Sequence, residues 1–182
     1  MEQQATIQQA VKKVAWGYVL LHLSFNFNTI DVLPDWLAYI LFLRSLPVLQ
    51  ETERTFSLLR PLAVLLALWQ GFLWTLSCFG LQLDLQIMSL AASVVSLYFH
   101  FQLITDLALL AHRYHCMEER KLLHLRTVRT ILYTILTLPF PWKQSVQLSI
   151  VLVVILLILT FWICSVLFSL SRSLAASCEE SG

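Results

Sequence analysis

Residues 146–170, VQLSIVLVVILLILTFWICSVLFSL, run without a single charged side chain. A helix needs about twenty apolar residues to cross the ~30 Å hydrocarbon core of a bilayer, so this stretch predicts a membrane-spanning helix. The remainder of the chain is similar in character. Of its 182 residues 58% are hydrophobic, with a mean hydropathy of +0.75, too apolar for an ordinary soluble domain. Cutting the chain at its polar interruptions gives five more apolar segments, near 14–31, 36–50, 61–81, 87–111 and 127–142. The expected fold class is all-α: a six-helix transmembrane bundle forming a single membrane domain over residues 1–182.

Charge orients this bundle. Lys12, Lys13, Arg54, Arg60, the basic residues from Arg113 to Arg129, and Arg172 fall on one side, with Arg44 inside a helix but nearer that side. Lys143 stands alone on the other, beside Asp31, Asp35 and Asp84. Short loops rich in Lys and Arg resist translocation and mark the cytoplasm, so both termini are expected inside, in a cytoplasmic (cell) membrane. Segments 2 and 5 are the short ones, with about fifteen apolar residues where spanning needs about twenty. Tilt or local thinning of the bilayer accommodates such helices. Ile7, Ala10, Val11 and Val14 precede the first span at helical spacing, which predicts an amphipathic lead-in along the inner surface.

Composition also excludes functions. The loops are too short to hold a soluble catalytic domain, and no GxSxG, HExxH or Walker-type signature occurs, so the chain is not read as an enzyme. The longest cytoplasmic loop, HRYHCMEERKLLHLR (residues 112–126), mixes Arg with Glu and lacks the dense basic run that nucleic-acid binding calls for. His112, His115 and Cys116 would share a helix face, yet no second Cys or placed carboxylate completes a zinc set, and neither metal nor cofactor is expected. The four cysteines form no CxxC pair and read as structural thiols. Small residues at four-residue spacing, Ala63/Ala67/Gly71, Ser89/Ser93 and Ser165/Ser169/Ser173, predict close helix packing.

The segment NFNTIDVLPDWLAYILF joins the first two helices. Pro34 biases Leu33 away from helix, and Asp35 then opens the second helix as a cap, its carboxylate meeting the positive end of the dipole. Asp31, Pro34 and Asp35 thus mark an outer turn. Around it, Asn26, Asn28, Ile30, Leu33, Pro34, Asp35, Tyr39 and Ile40 resemble a group of small integral membrane proteins of Gram-positive, Bacillus- or Clostridium-type bacteria. Those carry an ILPDFIGY-like turn between helices 1 and 2. The resemblance covers roughly residues 16–45; it implies a bacterial cell membrane and carries no assigned activity. Trp36-Leu37-Ala38 replaces the group's Phe-Ile-Gly, which implies a looser helix contact at Ala38.

At a rise of 1.5 Å per residue, His22, Gln70, Gln102, His100 and Asn26 fall roughly 12–18 Å from the inner ends of their helices. That is close to the midplane. Tyr18, His22 and Asn26 share a stripe at i, i+4 spacing, which faces the bundle because lipid offers polar atoms no partner. Arg44 and Asp106 lie at similar depth and form a candidate ion pair between helices 2 and 4. Ionisable groups inside a membrane often mark solute or ion pathways. The functional expectation is a non-enzymatic protein that moves or senses a small solute or ion through this polar layer. The alternative is a scaffold or partner subunit that binds another membrane protein, its remaining partner being the lipid bilayer. A water-accessible cavity at His22, His100 and Gln102 separates the two.

Overall fold

Ile7, Ala10, Val11, Val14, Ala15 and Tyr18 recur at three- and four-residue spacing, and each is 2% exposed or less. They are one face of a 3.6-residue period, and they lie on α1 (Glu2–His22). The structure is a computed structural model describing residues 2–22, 26–27, 30–31, 35–81, 85–137 and 146–179. After α1 come two short strands, β1 (Asn26–Phe27) and β2 (Ile30–Asp31), paired antiparallel with Asn26 opposite Asp31. Then follow α2 (Trp36–Thr52), a 3-10 turn (Arg54–Leu58), α3 (Leu59–Cys78), α4 (Gln86–Arg113), α5 (Glu118–Thr137) and α6 (Val146–Glu179). Each helix packs on the next in sequence, and α6 returns to lie against α1 and α5. The six helices therefore close a ring.

Two helix ends are fastened by left-handed residues. Gly80 (φ 65) ends α3, with Leu81 N–H donating to Leu76 O at 3.0 Å and Gly80 N–H to Ser77 O at 3.1 Å. These are the paired bonds of a Schellman cap. His115 (φ 53) does the same for α4, through Cys116 N–H to Ala111 O at 2.8 Å. Across this end, Arg113 reaches back to the Thr52 carbonyl (2.7 Å) and Glu53 Oε1 (3.0 Å). His112 pairs with Glu119 at 2.9 Å.

Several expectations change. The first helix does not run to residue 31: α1 is described as far as His22, and Asn26 lies in β1, outside the helical stripe of Tyr18 and His22. The face of Ile7, Ala10, Val11 and Val14 is buried within the bundle rather than laid on a membrane surface. Most of the expected loop 112–126 is helix, because α5 begins at Glu118. With α4 ended at Arg113 and His115 in the left-handed region, His112, His115 and Cys116 do not share a helix face. Asp35 does not cap α2 with its side chain: its own backbone is already helical, and its carbonyl accepts from Ala38 N–H at 3.1 Å. Pro34, Asp84, the 138–143 segment and Lys143 fall outside the described residues, as do the side chains of Asn26 and Asp31.

Apolar side chains cover the outside of this ring. Val64, Leu65, Leu68 and Phe72 on α3, Ile87, Leu90 and Val94 on α4, and Val151, Val154, Ile158 and Phe161 on α6 are all exposed. Patches this extensive are not found on monomeric soluble proteins. Among the described residues, three helical stretches are long and apolar enough to cross a membrane: Arg54–Cys78, Gln86–Arg113 and Ile150–Ala176. The chain is a membrane protein. The buried polar and charged side chains among the described residues come from α2 (Ser45), α4 (His100, Asp106), α5 (Glu118, Arg129) and α6 (Ser171).

Candidate functional site

The centre of the ring is aromatic. Tyr18 from α1, Tyr39 and Phe42 from α2, and Phe99 and His100 from α4 are all buried. Their rings meet tilted or edge-on at centroid separations between 5.2 Å (Phe99–His100) and 6.3 Å (Tyr39–His100). Such contacts suit the ring quadrupoles. Gly17 admits the Phe42 ring to α1: a methyl group there would stand 2.5 Å from Phe42 Cε1. Ala38 is fully buried as well.

Polar groups thread through this cluster. Tyr18 Oη lies 3.1 Å from His100 Nδ1, and Tyr39 Oη lies 3.3 Å from Ser96 Oγ. His22 Nδ1 lies 3.1 Å from the Tyr18 carbonyl, while Tyr133 Oη sits 3.4 Å from His22 Nε2. In the tautomer these contacts favour, Nδ1–H donates to the carbonyl and the Tyr133 hydroxyl donates to Nε2. The two histidines are thus joined through tyrosines to α1 and α5, without touching each other.

Arg129 is the unexpected member. Its position in the sequence reads as part of a cytoplasmic charge run, yet it is 5% exposed and some 16 Å along α5 from Glu118. Its guanidinium carbon stands 5.1 Å from the centroids of both Tyr18 and Tyr133. No carboxylate among the described residues lies within ion-pair distance of it, and its Nη1 is buried without a hydrogen-bond acceptor. Two cation–π contacts are worth about 0.5–2 kcal/mol each, whereas an uncompensated buried charge costs several kcal/mol. The aromatic faces therefore hold the guanidinium in place without replacing its lost hydration.

Beside Arg129 a cavity of about 270 Å³ opens between α3, α4 and α5. Its polar lining is Gln70, Ser89, Ser93, Ser96, His100, Arg129, Tyr133 and Thr137, and Leu66, Trp69, Leu73, Ala92 and Leu97 complete it. His100 Nε2, also buried without a partner, belongs to the same lining residue. The cavity reaches from mid-helix residues to Ser89 in the first turn of α4 and Thr137 at the last residue of α5. It therefore extends toward the end of the ring where α3 stops and α4 starts. The hydroxyls of Ser93 and Thr137 donate to carbonyls of their own helices, at 2.8 and 2.7 Å.

The expected polar layer is partly assembled. Gln70 and His100 meet at the cavity, and His22 joins through Tyr18 and Tyr133. Gln102 does not: it points elsewhere on α4 and donates to Asp106 Oδ1 at 2.8 Å. The ion pair of Arg44 with Asp106 is not formed. Arg44 is exposed, while Asp106 is 2% exposed, with Thr55 and Gln102 beside it. The Ser89/Ser93 stripe lines the cavity instead of a helix contact, and nothing lies within 4 Å of where a Gly71 side chain would begin. A signal for Arg129 does exist in the sequence. Leu122, Leu125 and Arg129 follow one helical face, and all three are buried; Tyr133 and Thr137 continue it at four-residue steps. Comparison with protein-family models, curated proteins and solved structures finds no match for the chain.

Proposed function

We propose that this chain is a multi-pass protein of the cell membrane that admits a small polar solute to the cavity between α3, α4 and α5. In this reading the six helices all cross, both termini lie on the basic side, and the cavity extends toward the outer face. One observation carries it: a cavity of about 270 Å³ between α3, α4 and α5, lined among the described residues by eight polar ones and open where Ser89 and Ser93 are exposed, in a ring whose outer surface is apolar. A water molecule takes about 30 Å³ of liquid volume, so the space suits several waters or one small solute. A purely structural polar layer would close on itself, since buried polar groups without partners are destabilising. Here Gln70, Ser93, His100 and Arg129 converge on open space instead.

The test is access from water. Ser93→Cys, in a chain whose native cysteines are replaced, places a thiol on the cavity wall, and Val94→Cys places one on the exposed apolar face of the same helix. A small hydrophilic thiol reagent applied to membranes is expected to modify the first and spare the second. Protection of both sites would remove the solute reading and leave the scaffold reading in its place.

A further inference from the structure

Resting on that cavity, we propose that its occupant is an oxyanion, a carboxylate or phosphate group held by Arg129. The guanidinium is always protonated, and its planar fork pairs with carboxylate or phosphate oxygens through parallel N–H bonds. Arg129 is 5% exposed, lines the cavity, and has an unpartnered Nη1. The ring centroids of Tyr18 and Tyr133, each 5.1 Å from its guanidinium carbon, hold it beside the cavity before any ligand arrives. His100 lines the same space from α4. In the tautomer in which Tyr18 Oη donates to Nδ1, the ring hydrogen sits on Nε2, which is buried and unpartnered behind the cavity wall. Gln70 lines the same space from α3. Among the described residues no Asp or Glu lines the cavity, so nothing there competes for the cation. Gln70, His100 and Arg129, from α3, α4 and α5, thus line one space around a single fixed cation.

Such a group reaches the site either on a free solute or on the headgroup of an anionic lipid entering between helices. The chemistry is shared, and experiment separates the sources. In nanodiscs of phosphatidylcholine, inorganic phosphate at constant ionic strength is expected to raise the thermal midpoint of the unmodified protein, saturably. If phosphatidylglycerol nanodiscs give the same rise and abolish the phosphate response, the lipid headgroup is the occupant. If phosphate still acts there, the occupant is a free solute. No response to either in the unmodified protein would overturn the oxyanion site.

Charge selectivity at the Ser93→Cys thiol checks the same site. An anionic methanethiosulfonate is expected to react at least about tenfold faster, relative to its cationic counterpart, than the two do with a free thiol in solution. Arg129→Gln should erase that preference. Gln70→Glu, which places a carboxylate within the cavity while keeping the side-chain shape, should erase it too, and it serves where loss of the arginine impairs folding. Equal or greater relative reactivity of the cationic reagent would overturn the oxyanion site while leaving the solute cavity standing. Failure of both reagents would instead remove the cavity reading itself.

Discussion

Gly17 and Gly71 are both helix-interior glycines, yet their surroundings assign them opposite roles. At Gly17 a Cβ would press on Phe42, whose ring is fully buried and hemmed in by Tyr18, Tyr39, Phe99 and His100. That ring has nowhere to move. Gly17→Ala is therefore expected to lower stability by about 1–3 kcal/mol, the usual cost of overpacking. At Gly71 nothing lies within 4 Å, and Gly71→Ala should be neutral or stabilising by up to ~1 kcal/mol through helix propensity. Thermal midpoints of the two purified variants check the pair, and equal effects would refute the contrast. The sequence favours the wrong glycine. Gly71 sits in a small-residue stripe with Ala63 and Ala67, whereas Gly17 stands alone, and its neighbour comes from α2.

Between elements, the firmest polar tie joins α5 to α6. Glu118 opens α5, and its Oε1 accepts from Ser169 Oγ at 2.7 Å and Ser173 Oγ at 2.9 Å. Two members of the serine stripe on α6 thus hold a carboxylate. Burial pushes the Glu118 pKa up, but the two hydroxyls, its own backbone N–H and Lys121 together draw it below the ordinary carboxylate value. A depressed folded-state pKa contributes stability above the unfolded value, about 4.3, and that stability is lost as the pH falls through the folded value. Glu118→Gln is therefore expected to cost about 1–2 kcal/mol at pH 7 and progressively less below about pH 4. Midpoints measured across that range check it. A deficit of constant size at every pH would show that the charge is not what the serines hold. The serine spacing is legible in the sequence, but its partner is not, because Glu118 lies in what reads as a polar loop until α5 is seen to begin there.

At the scale of the molecule, the outer surface is the reverse of a soluble protein's, while the interior is mainly apolar with a few polar groups set in it. Aliphatic groups face outward on α3, α4 and α6, and the ring interior holds His100, Asp106 and Arg129. That arrangement lowers the free energy only if the exterior solvent is hydrocarbon, where buried polar groups prefer one another to lipid. The six-span topology proposed above predicts that the 3-10 turn and the α3–α4 turn lie on opposite sides. In intact cells Leu81→Cys is expected to react with an impermeant reagent, and Ser57→Cys only after permeabilisation. The opposite pattern would invert the topology, and reaction of both from outside would end the six-span reading.

The apolar runs by themselves determined that the chain is helical and belongs in a membrane. Hydrophobic length is a local property, and the cost of exposing backbone polar groups to lipid admits few alternatives to a helix. Residue spacing also turned Tyr18 and His22 inward. Tertiary structure alone decided which polar residues meet. Gln70 and His100 reach one cavity from different helices, whereas Gln102, two residues from His100, is rotated about 200° around α4 and bonds Asp106 instead. The depth of Arg129 was hidden for a related reason. Its charge places it at a surface when the segment is read alone, and only the face of Tyr18 on α1, beside that of Tyr133 one turn along α5, gives it an interior position. Periodicity tells which side of a helix looks inward; which neighbour waits there depends on how the six helices close.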